Sequence, residues 1–545
     1  MSKKTKIGVC QSLYWSNFSY EPMRVEVDIS RGLFHFNIVG LADKTMTESK
    51  YRILSALKNS EYALPQRKNE KVIVSLLPSD KKKTGTYADL AIAYSYLLGS
   101  EQLPHIEKDK YTCCIGELAL EGSVLFKQDI IHLLYAGVKA GLNKFIIPAN
   151  STEHIHLIPN IEIAEIAHLS DLKKPLVFVE SNKLAKIAKM EKFGEEGHSH
   201  NKENKIDNPH IENIETRTDF MIDNLKGLDS QKRALMIGLA GNHHILFAGL
   251  PGCGKSALAN CAQELLDPLT NKEAIETYSI YQSAKISENM HTYKLSYKRP
   301  CRKPHASIKE AGLIGNGSSQ QGELSLTHNG ILILNELCEF SREAIESLRD
   351  PIENQKLLVH KSGASVDFKL YTTIIATTNL CPCGKIPTSY FIDNKIASNP
   401  FNKDKQCSCT NHQIKKYQNK ISEPLLDRFP IVCTFSYDHY ESTRTSMLGA
   451  DMKNIIERAR NLSRIRNSNL YNQYLTIEQI TKFGIDKEGE DCIKEIEPTF
   501  KLSKRKILHT IRLARTIADI ENSRKIQKEH ILEAVGYVKT KPFEI

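Results

Sequence analysis

The stretch Gly249-Leu250-Pro251-Gly252-Cys253-Gly254-Lys255-Ser256 constrains this 545-residue chain more than any other. An apolar run, Ile245-Leu246-Phe247-Ala248, leads into it, and the helix-compatible Ala257-Leu258-Ala259-Asn260-Cys261-Ala262 follows. Strand, glycine-rich turn and helix in that order are the context in which a G-x-x-x-x-G-K-S match marks a phosphate cradle. The glycines let backbone N–H groups close around the β- and γ-phosphates, while the helix start adds the positive end of its dipole. Lys255 is expected to reach the phosphates and the Ser256 hydroxyl to hold Mg²⁺.

At about 100 to 200 residues per domain, the length suggests roughly three or four domains with ample core. Hydrophobic residues make up 41% and charged residues 25%, the balance of an ordinary soluble protein. The formal charge of +10 permits an anionic partner without demanding one. Thirteen cysteines, an odd number, point to reduced thiols in a cytosol. The basic start Met1-Ser2-Lys3-Lys4-Thr5-Lys6 is not followed by an apolar segment adequate for a signal peptide. No stretch approaches the roughly 20 apolar residues of a membrane span. A cytoplasmic protein without a membrane partner is the expectation.

Residues 1–180 alternate β-rich runs with helical ones, as in Val25–Ile29, Lys71–Leu77 and the apolar Leu90–Leu98, so the domain reads as α/β. The segment Gly116-Glu117-Leu118-Ala119-Leu120-Glu121-Gly122-Ser123-Val124, continuing to Phe145-Ile146-Ile147-Pro148, resembles the proteolytic domain of Lon-type proteases, with its ribosomal S5 domain 2-like fold. That family uses a Ser nucleophile and a Lys base. Here Tyr87 stands at the expected Ser position and Ile131 at the expected Lys position. A phenol and an alkyl group cannot replace a hydroxyl activated by an amine. A Lon-like fold without peptidase activity is the expectation, and Cys113 and Cys114 read as buried thiols. Residues 181–218 are polar and nearly free of aromatic residues, which predicts a flexible connector.

The segment 219–440 carries further landmarks. Lys226-Gly227-Leu228-Asp229-Ser230-Gln231 resembles the entry segment of AAA+ ATPases, and Asn329-Gly330-Ile331-Leu332-Ile333-Leu334-Asn335-Glu336 resembles their Walker B strand. In that arrangement the first polar residue steers Mg²⁺ and the second polarises the attacking water. Asn335 replaces the usual Asp, bringing no negative charge to the ion, while Glu336 remains the general-base candidate. Tyr371–Asn379 matches the sensor-1 strand, with Asn379 placing the lytic water. Arg428, in Pro424-Leu425-Leu426-Asp427-Arg428-Phe429, matches the arginine finger that crosses to a neighbouring subunit's γ-phosphate. Arg505, in Leu502-Ser503-Lys504-Arg505, matches the sensor-2 arginine of a C-terminal helical lid over 441–545.

The pieces Arg299-Pro300-Cys301-Arg302-Lys303-Pro304-His305, Gly322–Gly330, Cys381-Pro382-Cys383-Gly384 and Ala514–Asp519 narrow the resemblance to the magnesium-chelatase-like ComM/YifB family, over nearly the full length. This resemblance implies a Lon-like α/β domain, an AAA+ P-loop core and a helical lid. It further implies ATP and Mg²⁺ as cofactors, a hexameric homo-oligomer, and a DNA helicase driving branch migration in natural transformation. The alternatives are a chelatase-like or chaperone-like remodeller on the same engine, and an ATP-binding assembly protein slowed by Asn335.

Two tight pairs, Cys381/Cys383 and Cys407/Cys409, offer four thiolates for Zn²⁺, with His412 as a competing ligand and free thiols as the plain alternative. Leu357–Phe368 reads as two alternating runs around Lys361-Ser362-Gly363, a β-hairpin. In this AAA+ branch such a hairpin projects into the pore, where Lys361 would pair with DNA phosphates without regard to sequence. Arg299, Arg302 and Lys303 form a second basic candidate, and Arg458, Arg460, Arg464, Arg466, Arg512 and Arg515 crowd the lid helices.

Overall fold

The computed structural model describes residues 6–16, 19–41, 44–81, 83, 86–103, 111–126, 130–151, 154–183, 220–283, 294–316, 320–361, 364–385, 407–435, 447–467, 470–482 and 484–543. All but the first three residues of the expected connector at 181–218 lie outside these. Two compact units divide the chain, one comprising 1–207 with 274–295 and the other 208–273 with 296–545.

In the first unit, β1 (Lys6–Ser16) and β2 (Ser19–Arg31) form an antiparallel pair. Met23, Val25, Val27 and Ile29 are buried in alternation with more accessible Arg24, Glu26 and Asp28, the period-two pattern of a half-covered sheet. With β3 (His35–Val39), β4 (Glu70–Leu77), β5 (Cys113–Cys114), β6 (Lys144–Pro148), β7 (Glu162–Ile166) and β8 (Val179–Glu180) they make an eight-stranded sheet ordered β8-β7-β6-β5-β1-β2-β4-β3. Helices α1 (Lys44–Asn59), α2 (Asp89–Gly99) and α3 (Ile131–Lys139) complete the α/β unit, and all eleven residues of α2 are buried.

The positions expected for a Ser–Lys dyad fall inside apolar packing. Ile131 is fully buried, and the Tyr87 ring lies 5.7 Å from Tyr20 and 6.4 Å from Phe126 between centroids. Tyr20 in turn stacks near His132, which meets Tyr278 at 5.8 Å. Tyr278 belongs to the 274–295 segment, which this unit takes from the middle of the chain. Cys113 and Cys114 are fully buried, and burial pushes both thiols well up, the opposite of what a nucleophile needs.

The second unit is built on a parallel sheet. Helix α4 (Asp229–Gly241) leads to β9 (Ile245–Gly249), followed by the short α5 (Lys255–Asn260) and by α6 (Asn271–Ser283), of which only the first three residues belong to this unit. Then come β10 (Cys301–Arg302), β11 (Gly330–Leu334), α7 (Arg349–Asn354), β12 (Lys356–Lys361), β13 (Ala364–Lys369), β14 (Thr372–Thr378), α8 (Glu423–Leu426) and β15 (Ile431–Phe435). The order is β10-β11-β14-β9-β15, every neighbouring pair parallel. β9, β11 and β14 are buried at every position, which explains the apolar runs of β9 and β11 and the Ile374-Ile375-Ala376 centre of β14. β14 is last of these three in sequence yet lies between the other two, so three loops converge at neighbouring carboxyl ends. That edge of a parallel sheet is where ligands bind.

The helices α9 (Gly449–Arg466), α10 (Lys504–Ile520) and α11 (Lys528–Lys539) share one core with this sheet, in which Leu235, Ile237, Met452, Ile456, Leu513 and Ile517 are all buried. Polar ties reinforce it. Asn242 accepts from Thr373 of β14 at 2.7 Å and donates to Tyr474, while the His243 ring bonds Gln473 and Thr516 at 2.6 and 2.8 Å. Burial holds His243 neutral by pushing its pKa down to about 3.

The basic runs of the sequence are largely consumed internally, which corrects the expectation of Arg299 as a basic contact and pairs Arg302 with a carboxylate. Arg299 is 3% exposed and donates to the carbonyls of Asp267 and Asn329 at 2.8 Å each, with Asp267 and Glu273 as ion-pair partners. Arg460 and Arg464 each reach Asp267 at 2.7 Å. Arg302 is held by Glu323 in two bonds of 2.6 and 2.7 Å, Arg466 pairs with Asp519, and the fully buried Arg515 pairs with it too. Arg512 is buried enough to lower its pKa to about 10 and donates to the Leu475 carbonyl at 2.8 Å. Only Lys303 of the 299–303 trio is exposed.

Burial alone would raise the Asp267 and Glu273 carboxyls. The surrounding arginines outweigh it and hold Asp267 well below the carboxylate range and Glu273 at about 2. Because both folded pKa values are depressed, the stability they contribute is complete above the ordinary carboxylate range and fades as pH falls through it. Asp267→Asn, which leaves buried guanidinium groups short of a partner, is expected to cost about 3–5 kcal/mol in denaturant unfolding at pH 7. The gap from wild type should narrow at pH 3.

Candidate functional site: a phosphate loop at the carboxyl ends of three strands

The phosphate loop lies where the sequence places it, between β9 and α5. Gly252 and Gly254 take φ values of +77° and +85°, which a side chain would strain, and nothing approaches the open side of Gly252 within 4 Å. The Lys255 ammonium is drawn back into the loop. It donates to the Gly249 carbonyl at 2.9 Å, the Leu250 carbonyl at 2.5 Å and Asn379 Oδ1 at 3.2 Å. Burial pushes its pKa down to about 8, opposed by the nearby Cys253 thiol and Glu336 carboxylate. A desolvated cation facing an open glycine turn at a helix start fits a phosphate ligand.

The other acidic and amide residues of the site come from the adjacent strand ends. Asn335 and Glu336 follow β11, and Asn379 follows β14. Glu336 is exposed and takes a left-handed backbone at φ +56°, its N–H donating to Thr377 Oγ1 at 3.1 Å. Thr377 also donates to Asn335 Oδ1 at 3.5 Å. This threonine, which has no assigned role in the sequence motif, thus steadies both residues; its place two before Asn379 on the same strand was the available clue. Ser256 is exposed at the start of α5. Its hydroxyl and the Asn335 amide are neutral oxygens that suit Mg²⁺ when phosphate oxygens share the coordination.

Arg428 and Arg505 are brought together elsewhere in this unit. Both pair with Glu353, another residue the sequence reading missed because no local motif marks it. β12 and β13 pair antiparallel from Lys356↔Lys369 to Lys361↔Ala364, the expected hairpin. The Lys361 side chain and residues 362–363 lie outside the described residues.

Cys381, Cys383, Cys407 and Cys409 converge with all four sulfurs within 4.8 Å of one another, and His412 is not among them. Three Sγ separations are 3.4, 3.4 and 3.7 Å. A tetrahedron with 2.3 Å zinc–sulfur bonds has edges of about 3.8 Å, so the set fits that ion. The turn of this cluster touches the phosphate loop. A Cβ on Gly384, at φ +73°, would come within 2.4 Å of the Pro251 ring.

The lowered Lys255 pKa sets a pH dependence. Phosphate binding needs the ammonium, so above pH 8 binding must take up a proton, and ATP affinity should weaken by up to about tenfold per pH unit until the bound-state pKa is reached. Isothermal titration from pH 7 to 9.5 reads this directly, and Lys255→Met should bind weakly with no such slope.

Comparison with known proteins follows the same three-part order. Residues 25–151 match the family described as subunit ChlI of Mg-chelatase, residues 221–443 the family magnesium chelatase, subunit ChlI, and residues 447–538 its C-terminal region. The chain is 30% identical over 523 residues to protein YifB of Escherichia coli, covering 95% of this chain and 94% of that one. It is 29% identical over 530 residues to competence protein ComM of Haemophilus influenzae, covering 94% of each. Over 153 residues it is 26% identical to the Lon protease of Leptospira interrogans, covering 28% of this chain and 18% of that protease. Among the described residues no helix is long and apolar enough to cross a membrane. With the glycine-rich loop and the strand ends expected for Walker B and sensor 1 together in one parallel sheet, and relatives alike along nearly their whole lengths, the chain belongs to the ComM/YifB family of magnesium-chelatase-like proteins, with an AAA+-type ATPase module and a Lon-like N-terminal part.

Proposed function

We propose that this protein is an ATP-driven DNA motor, a hexameric helicase that promotes branch migration when incoming DNA is recombined. The observation that carries the reading is the meeting of Lys255 with Asn379, beside Glu336, at adjoining strand ends. The name of the Haemophilus relative, a competence protein, supports DNA as the substrate. The hairpin of β12 and β13, which ends its first strand on Lys361, supplies an element suited to push on a phosphate backbone. The reading divides the chain into a Lon-like domain at 1–180, a connector, an ATPase core at 219–440 and a lid beyond it.

Bound ATP with Mg²⁺ supplies the phosphoanhydride whose cleavage powers the motion. Lys255 would neutralise charge on the phosphates, and Ser256 and Asn335 would share the ion. Glu336 would accept the proton of the attacking water, which Asn379 orients. Arg428 would approach the γ-phosphate of a neighbouring subunit and Arg505 would complete the charge balance. A second reading, an assembly protein that binds ATP and turns it over slowly, is favoured by Asn335 alone, because a neutral amide holds the ion less firmly than a carboxylate. The chelatase-like or chaperone-like alternative uses the same site on a protein partner.

Phosphate release by the full chain, with and without a branched DNA, tests these readings. A DNA motor should be stimulated by DNA and should lose DNA binding steeply with salt. A remodeller should ignore DNA. Asn335→Asp should raise turnover by about tenfold or more if the ion site limits hydrolysis, and an unchanged rate would show that Asn335 does not limit it.

We also propose that the four cysteines hold a structural zinc ion. Purified protein should contain about one zinc per chain, and Cys383→Ser with Cys409→Ser should abolish it and lower the unfolding midpoint. Metal-free wild type with unchanged stability would leave the cluster as free thiols.

A further inference from the structure

We propose that Glu353 is a positioning residue, a carboxylate that holds Arg428 and Arg505 together and yields them to nucleotide phosphate. The proposal rests on the reading of the chain as an ATPase. Glu353 is the penultimate residue of α7, and its two oxygens are shared out, one to an N–H of Arg428 and the other to an N–H of Arg505.

The two arginines are held differently. Arg428 is 5% exposed, with Nε donating to the Arg349 carbonyl at 3.3 Å and a further N–H to the Pro424 carbonyl. Its direction is therefore fixed by backbone, and Glu353 is the partner that answers its charge. Arg505 is 40% exposed and Glu353 38%, so a ligand has access to the shared carboxylate. Each guanidinium gives the shared carboxylate a single N–H, and a phosphate, which offers more oxygens and more negative charge, can accept from both in its place.

A second observation points to an anion at this place. α10 begins Lys504-Arg505-Lys506 and has no acidic residue in its first turn. Cations at a helix N-terminus oppose the dipole, so sequence and local stability disagree here. Anions brought from other segments resolve the conflict. Glu353 answers Arg505, and Asp427, next to Arg428, answers Lys506 at 3.4 Å. Arg428, Arg505 and Lys506, gathered by Glu353 and Asp427, are the cations a multiply charged phosphate would use.

The position of Glu353 also connects this pair to the hairpin. Two residues after it, Gln355 turns through a left-handed φ of +53°, its carbonyl accepts from Leu370 N–H at 2.8 Å, and β12 starts at Lys356. Release of Glu353 thus acts at the root of the element assigned to push DNA.

The test is titration of the full-length chain with a fluorescent ATP analogue and Mg²⁺, together with the KM and kcat of phosphate release. Glu353→Gln keeps the shape and removes the competing charge. It should bind the analogue about three- to tenfold more tightly and lower KM by the same factor, with a smaller change in kcat. Glu353→Asp, which restores the charge, should return affinity toward wild type. In an Arg428→Ala, Arg505→Ala background Glu353→Gln should have no effect. Unchanged or weaker binding by Glu353→Gln, or the same tightening without the arginines, overturns the proposal. If Glu353→Gln does not fold, Glu353→Ala takes its place, with tighter binding in the wild-type background and no effect without the arginines as the required result. Wild type that binds ATP while Glu353→Gln shows no shift sinks the latch alone; wild type that binds no ATP sinks the ATPase reading and the latch with it.

Discussion

The structure depends above all on one partly desolvated ammonium. Lys255 sits at the first position of a helix, an unfavourable place for a cation, and burial lowers its pKa to about 8. The fold surrounds it with oxygens from three sources, namely two loop carbonyls and Asn379, with the Glu336 carboxylate acting at longer range. That grouping is possible because β14 is inserted between β9 and β11. Had the strands run in sequence order, the Asn379 loop and the phosphate loop would stand apart. Strand order in the sheet thus decides which residues meet the cation, and the buried aliphatic strands exist to fix that order.

Charge elsewhere in the second unit is settled within the protein. Asp267 and Glu273 gather Arg299, Arg460 and Arg464, with Tyr471 donating to Glu273 at 2.9 Å. A buried pair is expensive to assemble and more expensive to leave half-made, so such a cluster favours one arrangement of α9 against the loop before β10. The formal charge of +10 is consequently a poor guide to the surface, because several of the arginines behind it face inward.

How far the sequence could be read follows from the range of each contact. The glycine-rich turn between strand and helix, the apolar strands, the hairpin and the two cysteine pairs are written in neighbouring residues, and each was legible. The strands expected to carry Walker B and sensor 1 were legible because a buried parallel strand ending in a polar residue is itself a local pattern. Arg299 misled, since a basic motif looks the same whether it meets solvent or a carboxylate such as Asp267, and the partner lies 32 residues away. Glu353 was invisible for a similar reason, as its partners are 75 and 152 residues distant and no spacing rule joins them. The grouping of 274–295 with the N-terminal unit was hidden too, because a helix that crosses from one unit to another shows no break in its periodicity.

The contact of Gly384 with Pro251 carries a consequence of its own. A rigid proline ring on one side and a residue lacking Cβ on the other pack so closely that the glycine-rich loop cannot shift toward Gly384. The entropy of shaping that bed is therefore spent when the polypeptide folds rather than each time a substrate arrives, and the thiol cluster behind Gly384 serves as the anvil against which the bed is formed.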